Sequence, residues 1–354
     1  MHTHDRTSLS TLSRPRLEAL LAAAPQQRVV VVGDAMLDVY LRGDVERISP
    51  EAPVPVVRVR ERRDALGGAA NVAQNVAALG APCTLVAAVG DDRGGEQLRA
   101  MLATLGADPS GLVVTGRPTT TKTRVLARAQ QVVRFDEEDD ADLGEADAER
   151  VATQVERAVA AGATALVLED YNKGVLVPAV IARATAAARA AGVPVVVDPK
   201  YRNFFGYRGA TVFKPNRREL EAALGAAVDV DQPDALPAVL ERLGVEHLLL
   251  TLGEHGMALL SRHEEPFRVP TAAREVYDVV GAGDTVTAYL AVMLGADATP
   301  REAAVVANFA AGVEVGKLGA QSVQPAEVLE AYDAVVAEHG SDAGASLAAA
   351  GARA

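Results

Sequence analysis

Patterns of buried strands and amphipathic helices alternate along most of the chain. Short apolar runs such as "RVVVVGD", "ATALVLED" and "VPVVVDP" end in a turn, and helical stretches such as "VPAVIARATAAARAAG" follow them. Runs that are apolar on both sides are typical of parallel strands buried between helices. The alternation therefore predicts an α/β protein with a mostly parallel central sheet and helices on both of its faces.

Two segments do not follow this pattern. In "VPVVRVRERRDAL" and "TKTRVLARAQQVVRFD" apolar residues alternate with charged ones, which indicates partly exposed strands outside the main sheet. We expect these segments to form a small β lid from residues near 39–66 and 113–135. The lid would belong to one domain at 28–338, with a polar tail and short helix at 1–27 before it and a disordered tail at 339–354 after it.

Composition narrows the class of protein. The chain has 354 residues and a formal net charge of −12, and because nucleic-acid binding relies on clustered cations we expect no nucleic-acid partner. No apolar run approaches the roughly 20 residues of a membrane span, and the N-terminus lacks the apolar core of a secretory signal. The single cysteine, Cys83, excludes an internal disulfide. We therefore expect a cytoplasmic enzyme or binding protein that acts on small molecules.

The stretch "DVVGAGDTVTAYLAVMLG", residues 278–295, combines small residues, one acid and the start of a helix. The first N–H groups of a helix have no partner within it, so together with the helix dipole they form a site for an anion. Gly281, Ala282 and Gly283 let an anion approach this backbone closely. Asp284 beside an anion is unfavourable unless it has a task, such as receiving a proton from an attacking hydroxyl. The alternative is that Asp284 only caps the helix.

Several longer motifs resemble those of the ribokinase-like (PfkB) carbohydrate kinases. "GGAANVAQNVAALG", "KPNRREL", "TLGEHG" and "DVVGAGDT" occur in the order that this family shows. "VVGDAMLDVYLRGDVERISPEAPVPVV", "PTTTKTRVLARAQQVVRFDEE" and "EDYNKG" are further similar to the bacterial D-glycero-D-manno-heptose 7-phosphate kinases. The resemblance covers residues 28–335 and implies a ribokinase-like three-layer α/β/α fold with a small β-sheet lid.

The resemblance also implies roles on the nucleotide side of the site. Asp284 matches the catalytic base, which takes the proton from the sugar's anomeric hydroxyl as that oxygen attacks the γ-phosphate of ATP, and the amides of residues 281–284 match an anion hole. Asn216 and Glu219 match an N-x-x-E motif that serves the phosphates and the water shell of Mg²⁺, whereas their spacing alone also fits a helix-capping pair. The other nucleotide-binding candidates are Lys200, Thr251, Gly253, Gly256 and Asn308.

The resemblance places the sugar beside the first strand and the helix that follows the lid strand. Asp38, Gly67, Gly68 and Asn71 match the family's site for sugar hydroxyls, because a carboxylate and an amide suit neighbouring hydroxyls and glycines permit close approach. Asp34 is a candidate for the same site, with a structural turn residue as the alternative.

Five cations are candidates for phosphate groups. Lys122, Arg124 and Arg128 have the same parity, so on a regular strand they would point one way and could hold the 7-phosphate of the substrate. A solvent-facing side of a hairpin is the alternative. Lys173 and Lys200 each follow the end of a strand, where α/β sheets place ligands.

The resemblance implies an ATP- and Mg²⁺-dependent kinase for the C1 hydroxyl of heptose 7-phosphate, in nucleotide-activated heptose biosynthesis. The product would serve lipopolysaccharide, another surface glycan or a secondary metabolite. The alternatives are a kinase for another sugar or sugar phosphate, and a catalytically silent sugar-binding protein. Retention of Asp284, Asn216 and Glu219 argues against the silent protein. An alternating lid leaves one apolar face uncovered, so we also expect a homodimer through the lid.

Overall fold

A nine-stranded sheet forms the centre of the protein. The computed structural model describes residues 11–128, 130–230, 236–262 and 264–351, with side chains described up to residue 338 except that of 236. The strands are β1 (Val29–Gly33), β4 (Cys83–Gly90), β5 (Leu112–Thr115), β8 (Ala165–Glu169), β9 (Val195–Asp198), β10 (Val212–Phe213), β11 (His247–Thr251), β12 (Met257–Ser261) and β13 (Phe267–Val269). Their spatial order is β13-β12-β11-β10-β9-β8-β1-β4-β5. All neighbours are parallel except β11 with β12 and β12 with β13.

Helices cover both faces of this sheet, as the alternating pattern predicts. One layer contains α1 (Arg14–Ala23), α2 (Ala69–Ala78), α3 (Arg93–Thr104), α8 (Ala282–Gly295), α9 (Pro300–Glu314) and α10 (Pro325–Gly351). The other contains α4 (Glu145–Ala160), α5 (Pro178–Ala191), α6 (Arg217–Leu224) and α7 (Leu236–Leu243). Within β1, Val29 and Val31 face the first layer, whereas Val30 and Val32 face the second. The predicted three-layer α/β/α fold is confirmed.

Four further strands form the lid. β2 (Ala35–Ile48), β3 (Pro55–Gly68), β6 (Thr121–Ala127) and β7 (Gln130–Glu137) pair in the order β3-β2-β6-β7. β2 and β6 are parallel, and the other two pairs are antiparallel. The interval near 113–135 expected for the lid was partly wrong: β5 pairs with β4 at the edge of the central sheet, because Leu112 and Val113 are buried there.

The N-terminal helix packs as part of the same unit. Leu12 and Leu17 are fully buried, and the hydroxyl of Tyr332 on α10 donates a 2.7 Å hydrogen bond to the carbonyl of Leu12. Residues 1–10 of the expected tail lie outside the described residues. The expected disordered tail, residues 339–354, falls at the end of α10 and beyond it, and its side chains lie outside the described residues, so this expectation stays a prediction.

The carboxyl ends of the parallel strands bring polar residues to one edge of the sheet. β8 ends at Glu169, β9 at Asp198, and β10 is followed at once by Lys214. Open α/β sheets bind ligands at this edge, so it is the expected position of a functional site. Among the described residues, no helix is both long enough and apolar enough to cross a membrane.

Candidate active site

Asp284 lies in the first turn of α8 and is buried, with 4% of its surface exposed. The helix cap is Gly281 and not Asp284, so the capping alternative does not describe its side chain. The amide of Asn71 donates a 2.7 Å hydrogen bond to Oδ2, and the hydroxyl of Tyr171 donates a 2.7 Å bond to Oδ1. Burial raises the pKa of Asp284 to about 6, against the lowering effect of these two bonds. A carboxylate near this value is well suited to accept a proton at neutral pH.

The start of α8 leaves its backbone amides available, as expected for an anion hole. Gly281 adopts a left-handed conformation with φ 97°, and it has no side-chain cap. A Cβ on Gly281 would lie 2.9 Å from the Cβ of Ala320, so a larger residue would be both strained and crowded there. Gly283 lies above Lys214, whose Nζ would be 3.5 Å from a Cβ at that position. An anion at Gly281, Ala282 and Gly283 would therefore meet helix amides and one lysine.

Two further buried acids, Glu169 and Asp198, lie beside Lys214 and Asp284 at the sheet edge. Nζ of Lys214 forms a 2.8 Å ion pair with Oδ2 of Asp198, and both side chains are nearly inaccessible. Ligand atoms of Glu169, Asp198 and Asp284 all lie within 4.8 Å of one another. Neither carboxylate oxygen of Glu169 has a hydrogen-bond partner among the described residues, and burial followed by the charges of Asp198 and Asp284 holds its pKa well above the usual range.

Sequence analysis missed this cluster and Tyr171. A signal existed, because Glu169 and Asp198 each end a valine- and leucine-rich strand, and such ends meet at one edge of a parallel sheet. Tyr171 belongs to the quoted "EDYNKG" motif, but nothing local distinguishes it, and it becomes important only through its contact with Asp284.

Asn216 and Glu219 form a helix-capping pair at the start of α6. The Asn216 side chain accepts a 2.9 Å bond from the Glu219 amide, and Oε2 of Glu219 accepts a 2.9 Å bond from the Asn216 amide. Oε1 of Glu219 contacts Nζ of Lys200 at 2.6 Å, and this ammonium also lies 5.1 Å from the ring centre of Tyr171. Asn216 and Glu219 therefore do cap the helix, and they also lie at the mouth of the site.

The oxygen donors at this edge fit a magnesium ion. Mg²⁺ prefers carboxylates and water and keeps several waters of its own. Both oxygens of Asp284 already accept hydrogen bonds, whereas those of Glu169 accept none among the described residues. Glu169 and Asp198, with Glu219 acting through water, are the groups that could hold the ion.

A cavity of about 520 Å³ opens beside the start of α8. It is lined by seven of the residues predicted for the nucleotide and the anion hole: Asn216, Thr251, Gly253, Gly256, Ala282, Gly283 and Asn308. Its other walls are largely apolar and include Val276, Val279 and Val315, which sequence analysis missed. The side chain of Asn308 donates a 2.7 Å bond to the carbonyl of Pro270, so it is held at the cavity wall. A flat aromatic base would suit such walls.

The expected sugar-hydroxyl site lies on the other side of Asp284. Gly67 and Gly68 end β3, and Asn71 follows in α2. A Cβ on Gly67 would be 2.5 Å from Oδ2 of Asp38, so glycine is needed for these groups to approach. Asn71 already contacts Asp284, which places Asp38, the two glycines and the base around one space.

Asp34 has a structural position. It is 1% exposed, and its carboxylate accepts backbone hydrogen bonds from Tyr171, Lys173 and Val175 at 2.8, 2.9 and 3.1 Å. Burial followed by the charge of Asp170 raises its pKa to about 6. Asp34 therefore holds the loop that carries Tyr171, which agrees with the alternative of a structural turn residue. Its place in the sugar-hydroxyl site stays a prediction.

Only part of the cationic face expected from the alternation of Lys122, Arg124 and Arg128 is present. Lys122 and Arg124 lie on β6 beside Asp38 and Tyr40 of β2, but β6 ends at Ala127 and a bulge interrupts its pairing after Val125. Arg128 is exposed in the following turn with φ 54°, so the prediction that it shares this face was wrong. The parity rule fails because β6 ends before Arg128, and the left-handed conformation of this residue takes it out of the alternating pattern of the strand.

The remaining cations of the sugar side differ in their partners. Arg124 forms a 2.5 Å ion pair with Asp38, and Lys173 forms a 2.7 Å pair with Glu138. Lys122 has no such partner among the described residues, and burial followed by the charge of Lys173 lowers its pKa. Two ammonium groups near each other, one of them without a counter-ion, form the best candidate for a second anion site.

Comparison with known proteins agrees with this geometry. The family model described as "pfkB family carbohydrate kinase" matches residues 26–327. A bifunctional protein HldE of Pelobacter propionicus is 46% identical over 323 residues, which cover 90% of this chain and 66% of the relative. An HldE of Rhodospirillum rubrum is 44% identical over 326 residues, covering 90% and 64%. The chain thus spans slightly less than two thirds of the length of these two relatives.

Solved structures confirm the ribokinase-like fold. Arabidopsis thaliana ribokinase complexed with ribose and ATP superposes with a TM-score of 0.67 at 23% identity, over 86% of this chain and 98% of that one. Phosphofructokinase-2 from Escherichia coli, in complex with substrates and products, superposes with a TM-score of 0.71 at 21% identity, over 88% and 99%. At these identities the likeness concerns the fold alone.

Proposed function

Because the chain belongs to the pfkB family of carbohydrate kinases, we propose that it transfers the γ-phosphoryl group of ATP to the C1 hydroxyl of D-glycero-D-manno-heptose 7-phosphate. The observation that supports phosphoryl transfer is the position of Asp284. It is a buried carboxylate in the first turn of a helix whose backbone amides are available to bind an anion. The substrate is supported by the heptose kinase motifs of the sequence and by the second cationic site beside the lid. The cell compartment proposed is the cytoplasm, where ATP and sugar phosphates are found.

The proton of the attacking hydroxyl passes to Asp284. Each of its oxygens accepts one hydrogen bond, from Asn71 or Tyr171, and retains a lone pair for the sugar hydroxyl. As the C1 oxygen forms its bond to the γ-phosphorus, the bond from that phosphorus to the ADP oxygen breaks and the proton moves to the carboxylate. The hydrogen bonds of Asn71 and Tyr171 hold the carboxylate in place throughout.

Charge on the transferred group is stabilised by the helix start. The amides at Ala282 and Gly283 and the dipole of α8 act on the phosphoryl oxygens, and Lys214 lies just below Gly283. A magnesium ion bound near Glu169, Asp198 and Glu219 would neutralise further charge on the phosphates. Asp198 holds Lys214 by a 2.8 Å ion pair, so the lysine is positioned before the nucleotide arrives.

The distal phosphate of the heptose is assigned to Lys122 and Lys173. Lys122 pairs in register with Asp38, so the two side chains emerge on the same face of the lid sheet, towards the sugar. A phosphate dianion would relieve the repulsion between the two ammonium groups, which is the largest cause after burial of the low pKa of Lys122. Charge-assisted bonds of this kind are stronger than neutral ones.

The lid is proposed to join two copies of the chain. Its face away from Asp38 presents Val59, Val133 and Phe135, which are 47%, 48% and 47% exposed. Apolar sheet faces of this kind need cover, and a second identical lid supplies it.

The test is product analysis with purified protein, ATP, Mg²⁺ and a panel of free and phosphorylated sugars. We expect ADP release with heptose 7-phosphate and a phosphorus NMR signal from a new phosphate at C1. Release with another sugar phosphate and not with the heptose would support the related sugar kinase instead. Tight sugar binding with no ADP release from any sugar would support the silent binding protein.

A further inference from the structure

Glu314, the last residue of α9, carries a buried carboxyl group that the proposed reaction does not use. It is 1% exposed, and neither of its oxygens accepts a hydrogen bond of standard geometry among the described residues. The backbone N–H of Gln321 faces the carboxyl group and lowers its pKa, but by less than burial and the neighbouring acids raise it. Its Oε1 would lie 3.2 Å from a Cβ on Gly281, so the group lies against the residue that caps α8. Its own helix ends there, and the C-terminus of a helix disfavours a negative charge.

Two acids near Glu314 disfavour its ionised form, and one lysine favours it. Asp278 approaches from the loop before α8, Asp284 from α8 itself, and Lys317 from the loop after α9. Nζ of Lys317 is engaged elsewhere, with the carbonyl of Ser322 at 2.9 Å and with Glu327. Burial, followed by the charges of Asp278 and Asp284, raises the pKa of Glu314 to about 8.

Two carboxyl groups therefore flank the same helix start in opposite protonation states at neutral pH. The pKa of Asp284 is raised to about 6 and that of Glu314 to about 8, so near pH 7 the base is ionised and Glu314 is neutral. Environments that separate two pKa values in this way assign different roles to the two acids. An ionised Glu314 would add a second fixed negative charge at the place where phosphate must bind.

We propose that Glu314 is a proton-controlled switch on the phosphate site: its neutral form allows nucleotide phosphates to bind at the start of α8, and its ionisation expels them. The inference rests on the proposed function, because it needs a nucleotide at this helix start. Glu314 acts through the charge of the site and does not touch the reacting atoms.

The test compares the wild type with Glu314→Gln, which keeps the size of the neutral acid but cannot ionise. The dissociation constant for ATP with Mg²⁺ is measured by calorimetry between about pH 6.5 and 9.5. For the wild type we expect affinity to fall about tenfold per pH unit above the pKa of the switch, because one proton must be retained for binding. The variant should match the wild type near pH 7 and bind about tenfold more tightly near pH 9.

A matched control and a second measurement separate this effect from a structural one. Glu330→Gln removes an exposed carboxylate from α10 and should leave the wild-type pH profile unchanged. In thermal unfolding, Glu314 has a folded pKa above its ordinary 4.5, so its contribution to stability is fully present below about 4.5 and is lost as pH rises through about 8. The melting temperature of Glu314→Gln, relative to that of the wild type, should therefore increase as pH rises from 5 to 9.

The possible failures are distinguishable. If wild type and Glu314→Gln lose affinity for ATP in parallel at high pH, the switch is wrong although the kinase proposal stands. If added sodium or potassium restores alkaline binding in the wild type, a cation rather than a proton neutralises Glu314, and the switch is likewise overturned. If the wild type binds no ATP at any pH, the proposed function itself fails.

Discussion

The carboxyl edge of the central sheet and the β lid both contain many charged residues, but they hold them differently. At the edge, the Lys214–Asp198 pair has side chains that are 4% and 7% exposed. In the lid, the pair of Arg58 and Glu46 is 62% and 54% exposed. Breaking a buried pair leaves an uncompensated charge and typically costs about 3–5 kcal/mol, whereas exposed pairs contribute about 0–1 kcal/mol.

This difference assigns the two regions different tasks. Groups at the edge are fixed by burial and hydrogen bonds, so they can hold reacting atoms in one geometry. Groups on the lid are partly solvated, so changes there should alter which sugar binds and how copies assemble while the chemical step survives. The following changes test that division, from the largest expected effect to the smallest.

Asp284→Asn should have the largest effect, because it keeps the size of the side chain but removes proton acceptance. General-base loss typically lowers rates by about 10²–10⁴-fold. We expect kcat to fall by this order while ATP binding, measured by calorimetry, is retained. Asp297→Asn, an exposed acid just beyond the other end of the same helix, is the control and should turn over normally. Near-normal turnover by Asp284→Asn would remove the base from the mechanism.

Lys122→Met should weaken selection for the phosphorylated sugar. A charge-assisted bond contributes about 1.5–3 kcal/mol, so the ratio of kcat/KM for heptose 7-phosphate over free heptose should fall about 10- to 100-fold. Lys173→Met should act in the same direction. Arg128→Ala is the control, because Arg128 lies in the exposed turn after β6. An unchanged ratio in both lysine variants would place the phosphate elsewhere.

Tyr171→Phe should shift the pH dependence of kcat. Asp284 must be ionised to act, so activity is present above its pKa of about 6 and is lost as pH falls through that value. The Tyr171 hydrogen bond lowers this pKa, so removing it should move the acid limb upward by about one pH unit. Tyr201→Phe, which alters an exposed hydroxyl, should leave the limb in place. A limb that stays fixed in Tyr171→Phe would mean that another group controls it.

Phe135→Asp should have the smallest effect on chemistry and a clear one on assembly. A charge on the apolar lid face should prevent two lids from packing, so light scattering at micromolar concentration should give a dimer for the wild type and a monomer for the variant. The value of kcat should change little. The control is Val336→Asp, which places the same charge on an exposed apolar residue outside the lid. This variant should remain a dimer. A monomeric wild type would disprove the lid dimer.

Much of the site could be predicted because its signals are local. Glycines at 281 and 283 followed by an acid and a helix, and the Asn216–Glu219 spacing, each occur within a few residues. The structure places Asn216 and Gly283, with Thr251 and Asn308, around one cavity. The prediction for Arg128 failed because the strand on which the alternation depended ends at Ala127, and Arg128 lies in the turn that follows with a left-handed backbone.

The sequence by itself determined where strands end, where helices begin and which residues carry chemical groups, because hydrogen bonding and side-chain periodicity act over a few residues. Only the tertiary structure decided which groups meet. Tyr171 and Asn71 contact Asp284 across 113 and 213 residues of chain. It also decided the protonation of Asp284 and Glu314, because a pKa depends on burial and on charges from segments far apart in sequence.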